Sequence, residues 1–344
     1  PPPEPLLSWI VDHSSNPIAK DFHKYIRAYN TAFAFAAIVV EQVSEDTAPG
    51  ASRIRNQPYN RNSSGPRIST GATSTTLANE TFRISGTIYH RMGSLRPSSG
   101  PPAFAQVYFY DVEEQLQHRT SLISHLRPDT IEILQRLITA NNPYASQFQT
   151  LLQQHGPEQI GALRVTITSG RRLGRRYDAQ TYPEVSALVT ERTVDGAFSP
   201  HNIIVHGHFN GTKIISSLHP SYMPLHYVLM YPFGEDGWSP DMLSAVPSVS
   251  GAPSDGDSGY KISLRQYCAY MLMVRSGYYS HHYGRLFQQF VVDNYVRIEA
   301  SRLQFLLLNQ DTLRAEMYSG IGDGVDPRQV GRSIVLPSSF SGGP

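Results

Sequence analysis

Residues 218–238 read LHPSYMPLHYVLMYPFGEDGW and form the most distinctive stretch of this 344-residue chain. Prolines within the stretch restrict its backbone, and its many aromatic side chains favour burial over exposure to water. We therefore expect this segment to be a rigid connector that is packed on a hydrophobic core, with an architectural role rather than direct contact with a ligand.

The chain before this segment shows both helical and extended patterns. Residues 17–43 are predicted to form a helix, because apolar side chains recur at helical spacing at Phe22, Ile26, Tyr29 and Phe33. Residues 44–79 are rich in Ser, Thr, Asn, Gly, Pro and Arg, which predicts a flexible insertion. Alternation from residue 82 to residue 88 predicts a strand, and the aromatic run 107–112 predicts a second one.

Helices are expected to follow over residues 113–125 and 128–142, the second of which opens at Pro128-Asp129. A shorter helix through Phe148 is predicted to end at Gly156, and residues 162–168 alternate as a strand. Two further runs, 203–209 and 212–218, flank Asn210-Gly211, a dipeptide that favours tight primed turns. These runs predict a β-hairpin.

After the stretch at residues 218–238, residues 239–259 have the composition of a surface loop, and helices are predicted over 263–276 and 285–319. The fold class is therefore predicted to be α+β, with mixed strands and helices in a central module and a mainly helical C-terminal subdomain that contains one long helix. Five parts are predicted along the chain. They are an N-terminal helical segment (1–43), a flexible insertion (44–80), the α+β module (81–238), a linker (239–260) and the helical subdomain (261–344).

The composition excludes several classes of protein. A formal net charge of +1 provides no global field for nucleic acid, so any DNA contact would depend on local patches of the mostly arginine basic residues. The single cysteine, Cys268, forms no internal disulfide and no thiolate zinc site, which indicates a reducing, intracellular compartment. No apolar run reaches the about 18–20 residues needed to cross a bilayer, so we expect no membrane segment.

Two pairs of residues resemble parts of catalytic or metal sites. His206 and His208 would share one face of a strand, yet two imidazoles make only half of a metal site, and surface histidines are the better interpretation. Tyr279 and Tyr283 have the spacing of paired nucleophilic tyrosines on a helix, although a structural role is favoured in a chain with 20 tyrosines. No catalytic, cofactor-binding or metal-binding residue is assigned.

The densest cationic spot is predicted to lie in a loop. It consists of Arg171, Arg172, Arg175 and Arg176, next to Tyr177. Flexible arginines beside an aromatic ring suit phosphate contact and base stacking, so these five residues are the candidate nucleic-acid-binding site. A solvated surface patch is the alternative. The chain has neither a phosphate-binding Gly-Lys-Ser/Thr loop nor a nucleophile elbow.

The stretch at residues 218–238 resembles the His-Pro, Tyr-Pro and Gly-Glu-Asp-Gly signature of Helitron transposon proteins, with Phe233 where the family often has Tyr. Further stretches are similar to the start of the Helitron helicase-like N-terminal domain, namely residues 284–299, 302–303, 309–310, 313–320 and 330–344. Weaker similarity covers much of the rest, at residues 29–35, 88–95, 104–111, 142–144, 174–178 and 184–185.

The resemblance implies a replication-initiator protein in which a nuclease with a metal site and paired tyrosines is followed by an ATP-dependent DNA helicase. We expect this chain to be a fragment that lies before both. It would itself need no cofactor, while the parent would use ATP and a divalent metal. The implied role is to position transposon DNA or to dock on the downstream nuclease, in the nucleus. A protein-interaction scaffold and an inactive transposon remnant are the alternatives.

Overall fold

The computed structural model describes residues 1–12, 16–41, 87–97, 100–160, 164–168, 187–190, 203–206, 213–244 and 261–310. Helices and short antiparallel strands are both present along it, so the prediction of an α+β fold is confirmed. The chain divides into two compact units, Pro1–Phe290 and Val291–Pro344. Within the described part, no helix is long and apolar enough to cross a membrane.

The N-terminal region is divided into more helices and strands than predicted. Three helices, α1 (Leu6–Val11), α2 (Pro17–Lys24) and α3 (Ile26–Phe33), precede strand β1 (Ala37–Glu41). The single helix predicted over residues 17–43 is therefore wrong. The backbone becomes extended at Ala34, after which the Phe35 and Ala36 amides donate to the Leu225 carbonyl instead of continuing the helix.

Two three-stranded antiparallel sheets form in this unit. The first has the order β1-β2-β6, in which β2 spans Thr87–Met92 and β6 spans Lys213–Ile215. The second has the order β4-β3-β5, with strands at Ala187–Thr190, Arg164–Thr168 and Ile203–His206. The strand predicted at 162–168 is confirmed.

The hairpin predicted around Asn210-Gly211 stays a prediction, because most of the residues that would pair beside the turn lie outside the described residues. The described residues of β5 pair with β3, and those of β6 pair with β2. The dipeptide itself lies outside the described residues.

A helical layer follows the first sheet. Helices α4 (Val112–Leu122), α5 (Pro128–Asn141) and α6 (Pro143–Gln159) lie where helices were predicted. Local sequence explains their ends, because Asp111 and Asn142 accept capping hydrogen bonds from backbone amides, and both α5 and α6 begin with proline. Gly156, at φ +69°, interrupts α6 at the predicted end.

The aromatic strand predicted at 107–112 is wrong, because residues Phe104–Phe109 form a 3-10 helix. This conformation buries Tyr108 and Phe109 together, where an alternating strand would have turned them to opposite faces. Tyr108 stacks on Phe35 with ring centroids 4.5 Å apart, and Phe109 meets Phe148 edge-on at 4.9 Å. Core packing therefore overrides the local alternation.

Helix α7 spans Tyr222–His226 and was not predicted. The two helices that follow match their predicted starts: α8 spans Leu264–Leu272, short of its predicted end at residue 276, and α9 spans Gly284–Leu308 after a 3-10 helix at Ser280–Tyr283. Ser263 and Gln266 form a capping box at the start of α8. The predicted continuation of the last helix to residue 319 lies outside the described residues.

Arg119 of α4 is buried in the helical layer without an acidic partner among the described residues. Its guanidinium lies 4.8 Å from the Phe33 ring centroid and 4.7 Å from that of Tyr108, and burial lowers its pKa. It donates hydrogen bonds to three oxygens, those of Ala32, Gln115 and Gln135. One cation therefore joins the end of α3 to α4, α5 and the 3-10 helix.

Replacing Arg119 with Ala should lower the free energy of unfolding by about 3 kcal/mol, because it leaves a cavity and unbonded buried oxygens. The control is Arg136→Ala on the exposed face of α5, for which a change within about 0.5 kcal/mol is expected. Urea denaturation followed by circular dichroism measures both. Equal effects of the two substitutions would contradict the role given to Arg119.

Candidate functional site

The segment at residues 218–238, called here the signature segment, lies in the interior of the first unit. Almost every side chain from His219 to Leu229 is buried, including the whole of α7. The prediction that it packs on the core is confirmed. Turns within the segment pair many of its backbone polar groups, and the groups that they leave need partners from other parts of the chain.

Asn30 of α3 supplies two of these partners. Its side-chain amide donates to the His226 carbonyl at 2.8 Å, and its side-chain oxygen accepts from the Leu229 amide at 3.2 Å. Asn30 is itself fully buried. One side chain therefore caps the end of α7 and fixes the direction in which the chain leaves it.

His226 connects the signature segment to β1 and α9. Its Nδ1 lies 2.8 Å from the Ala36 carbonyl oxygen, which can only accept, so Nδ1 carries a proton. Its Nε2 lies 3.2 Å from the Gln289 side-chain nitrogen, which donates to it. Both ring nitrogens are used in these bonds, so His226 has a structural role.

His90 of β2 stacks face to face on Tyr222, with ring centroids 3.7 Å apart and planes within 2°. Its Nδ1 donates to the Tyr222 carbonyl at 2.8 Å. The His90 and His226 rings are 5.2 Å apart, but the described residues contain no group of three His, Cys, Asp or Glu side chains that could hold a metal ion. The arrangement is an aromatic and hydrogen-bonded core.

Two glycines of the signature segment are explained by close approach. A Cβ atom at Gly237 would lie 2.9 Å from the Pro220 carbonyl, to which the Gly237 amide donates a hydrogen bond of 2.8 Å. Gly234 has a φ of +65°, and a Cβ there would lie 3.0 Å from Pro143. The two glycines of the Gly-Glu-Asp-Gly sequence are therefore required by geometry.

The tyrosine pair considered from the sequence does not form a reactive pair. Tyr283 is buried and its hydroxyl donates to the Leu229 carbonyl at 2.7 Å, while Tyr279 precedes the short 3-10 helix. The two phenols therefore do not lie on one face of an α-helix. Desolvation by burial raises the pKa of Tyr283 far above the ordinary value, which opposes a role as a nucleophile.

The other candidate residues are not all described. Arg171, Arg172, Arg175, Arg176 and Tyr177 lie outside the described residues, as does His208. His206 ends strand β5. The predictions for the arginine cluster therefore remain predictions.

An exposed group that the sequence analysis missed lies after α8. The Arg275 guanidinium carbon is 3.7 Å from the ring centroid of Tyr270 and 3.8 Å from that of Tyr278, so the cation is stacked between two phenols. Its Nη1 also donates to the Tyr270 and Met273 carbonyls at the end of the helix. The sequence did mark this region as basic, because residues 261–285 contain four Lys or Arg residues and no Asp or Glu.

Comparison with known proteins adds one finding. Residues 267–344 match the family model described as "Helitron helicase-like domain at N-terminus". The matched region begins in α8 and includes the Arg275 stack and α9. No curated protein matched the chain.

Asn30→Ala should lower the free energy of unfolding by about 2–3 kcal/mol, because it leaves a buried carbonyl and a buried amide without their bonds. The matched control is Asn141→Ala, whose side chain bonds only to the Leu137 carbonyl within α5. The loss there should stay near 1 kcal/mol. Chemical denaturation of both variants tests the difference, and a smaller loss for Asn30 would refute its central role.

Tyr283 should make stability fall in alkali. Its folded pKa is raised above the unfolded value of about 10, so its contribution is present below pH 10 and is lost as pH rises further. In Tyr283→Phe, the decline in unfolding free energy above pH 10 should therefore be shallower by up to about 1.4 kcal/mol per pH unit. Urea titrations between pH 7 and 11 measure this slope, and an unchanged slope would contradict the burial of the phenol.

Proposed function

We propose that the chain is the non-catalytic N-terminal portion of a Helitron-type transposase and DNA helicase, because residues 267–344 match the model of the Helitron helicase-like N-terminal domain. In this proposal the chain positions transposon DNA for the nuclease and helicase regions of the same polypeptide. Its location would then be nuclear, where chromosomal DNA is found.

One structural observation carries the non-catalytic part of the proposal. The histidines and tyrosine nearest to the signature segment have their polar atoms in hydrogen bonds to backbone carbonyls, as with His226, His90 and Tyr283. Groups that are buried and bonded in this way hold the fold together and are not poised to attack a substrate. These bonds therefore support a holding role for the chain rather than a catalytic one.

The residues present do not fit the cofactors that the family implies. The chain has no phosphate-binding loop with Gly, Lys and Ser or Thr, and the described residues contain no cluster of three metal-binding side chains. ATP and a divalent metal would accordingly be bound by other regions of the parent protein. This chain would contribute placement of the DNA.

DNA contact is assigned to the cluster formed by Arg171, Arg172, Arg175, Arg176 and Tyr177. Arginine binds phosphate through two parallel hydrogen bonds and also stacks on bases, and a neighbouring tyrosine adds a second stacking surface. With a net charge of only +1, the chain depends on such a local patch for affinity.

An interaction scaffold is the second candidate, and a specific observation favours it. In the second unit, the large apolar side chains of Tyr295, Phe305 and Leu308 on α9 are all strongly exposed. Exposed apolar side chains concentrated on one helix are typical of surfaces that bind other proteins. This candidate predicts no affinity for DNA.

The test is binding of the purified chain to labelled single-stranded and duplex DNA over a salt series. Replacing the four arginines of the cluster with Ala should weaken binding at low salt and reduce the slope of log affinity against log salt by about three units. The matched control removes four other cations, at Arg53, Arg55, Arg61 and Arg67. It should leave most of the affinity intact.

Absence of binding at low salt would refute the DNA-positioning role and favour the scaffold. Equal losses in the two quadruple variants would refute the assignment to the cluster, since they would show only a general effect of net charge.

A further inference from the structure

The end of α8 presents an unusual apolar surface to solvent. The docking surface, as we define it, consists of residues 270–274, in which four large side chains are exposed. Their exposed fractions are 54% for Tyr270, 42% for Leu272, 60% for Met273 and 86% for Val274. Single exposed apolar residues are ordinary on protein surfaces, whereas several in consecutive positions indicate an interaction site.

Contacts of Arg275 and Tyr278 hold the docking surface in place. Arg275 is stacked between Tyr270 and Tyr278 and donates to the Tyr270 and Met273 carbonyls, so the chain that leaves α8 is fixed against the helix. The Tyr278 hydroxyl donates to the Met271 sulfur at 3.2 Å. Ordering the segment before binding reduces the entropy that a partner must overcome.

A second hydrogen bond anchors the other side of this segment. Nε2 of His281 lies 2.9 Å from the Leu272 carbonyl, which can only accept, so the ring donates to it. The apolar side chains therefore project from a backbone that is bonded on both sides.

The stretch of chain that carries the docking surface is basic in sequence. Residues 261–285 include Lys261, Arg265, Arg275 and Arg285 and have no acidic residue, and Lys261 and Arg265 are exposed. An apolar surface on a basic stretch is complementary to an apolar surface that carries acidic residues.

Two observations favour a protein over a nucleic acid as the occupant. The cation nearest to the apolar side chains, Arg275, has both faces covered by phenol rings and donates to backbone carbonyls, so it is already engaged. In addition, Leu272, Met273 and Val274 have no ring on which a base could stack, and one face of the Tyr270 ring is already covered by Arg275. Apolar side chains of this kind contribute most when they enter a protein groove.

We infer that the docking surface binds an acidic, amphipathic segment of a protein, with Met273 and Val274 as the central apolar contacts. This inference is independent of DNA binding, since it concerns a different part of the chain from the arginine cluster.

The experiment uses two labelled helical peptides of about 18 residues, long enough to form a helix on binding. Both carry the same leucine stripe, and their other positions are Glu in one and Lys in the other. Fluorescence anisotropy with the full chain should show binding of the Leu/Glu peptide, weakened by salt, and at least tenfold weaker binding of the Leu/Lys peptide.

The variant Met273→Ser with Val274→Ser should weaken binding of the Leu/Glu peptide about tenfold or more, since two apolar contacts are lost. The matched control is Val112→Ser with Leu122→Ser, which removes two exposed apolar side chains from α4 and should leave binding unchanged. All four sites are exposed, so both variants should fold, which circular dichroism checks.

Three results would overturn the inference. They are no binding of the Leu/Glu peptide, equal loss in the two double variants, and loss of single-stranded oligonucleotide binding in the Met273 and Val274 variant. The last result would assign the surface to nucleic acid instead. Peptide binding that survives removal of the arginine cluster would support the inference whether or not the chain binds DNA.

Discussion

The fold depends on burying an irregular segment without leaving its backbone unbonded. Asn30 satisfies both a carbonyl and an amide of the signature segment, and His90 and Tyr283 each donate to one of its carbonyls. An unpaired buried peptide group costs as much as several apolar contacts supply, so these side chains are required wherever the segment is buried. Helix α3, strand β2 and the 3-10 helix before α9 are positioned by this requirement.

The same bonds explain why the histidines and tyrosines here are poor candidates for chemistry. Reactive side chains usually lie in a cleft with an atom facing the substrate, whereas His226 has bonds at both ring nitrogens and Tyr283 points its hydroxyl inward. These side chains therefore stabilise the interior of the fold.

Local sequence predicted the helices well, because their ends are encoded by nearby residues such as Asp111, Pro128 and Ser263. It failed where distant contacts decide the outcome. Strand β1 is extended because it pairs with β2, and the 3-10 helix at Phe104–Phe109 forms because both aromatics enter the core. The signature segment was predicted to be buried, but its partners lie far away along the chain. Asn30, for example, is 196 and 199 positions from the two residues to which it bonds.

The candidate site was predictable only in part. A cluster such as Arg171 and Arg172 can be found by composition alone, but the stack of Tyr270, Arg275 and Tyr278 needs the turn that follows α8 to bring the three side chains together. Exposure of Val274 is likewise a tertiary property, since an apolar residue at the end of a helix is more often buried.

The pairing of Glu41 with Thr87 has an evolutionary consequence. The connection between β1 and β2 begins and ends at residues that are paired in one sheet. A change in its length therefore does not alter the distance between its ends. Closing a longer connection costs only about 0.6 kcal/mol for each doubling of its length. Insertions and deletions between these two strands should therefore accumulate among related chains far faster than changes of length anywhere near the Asn30 bonds.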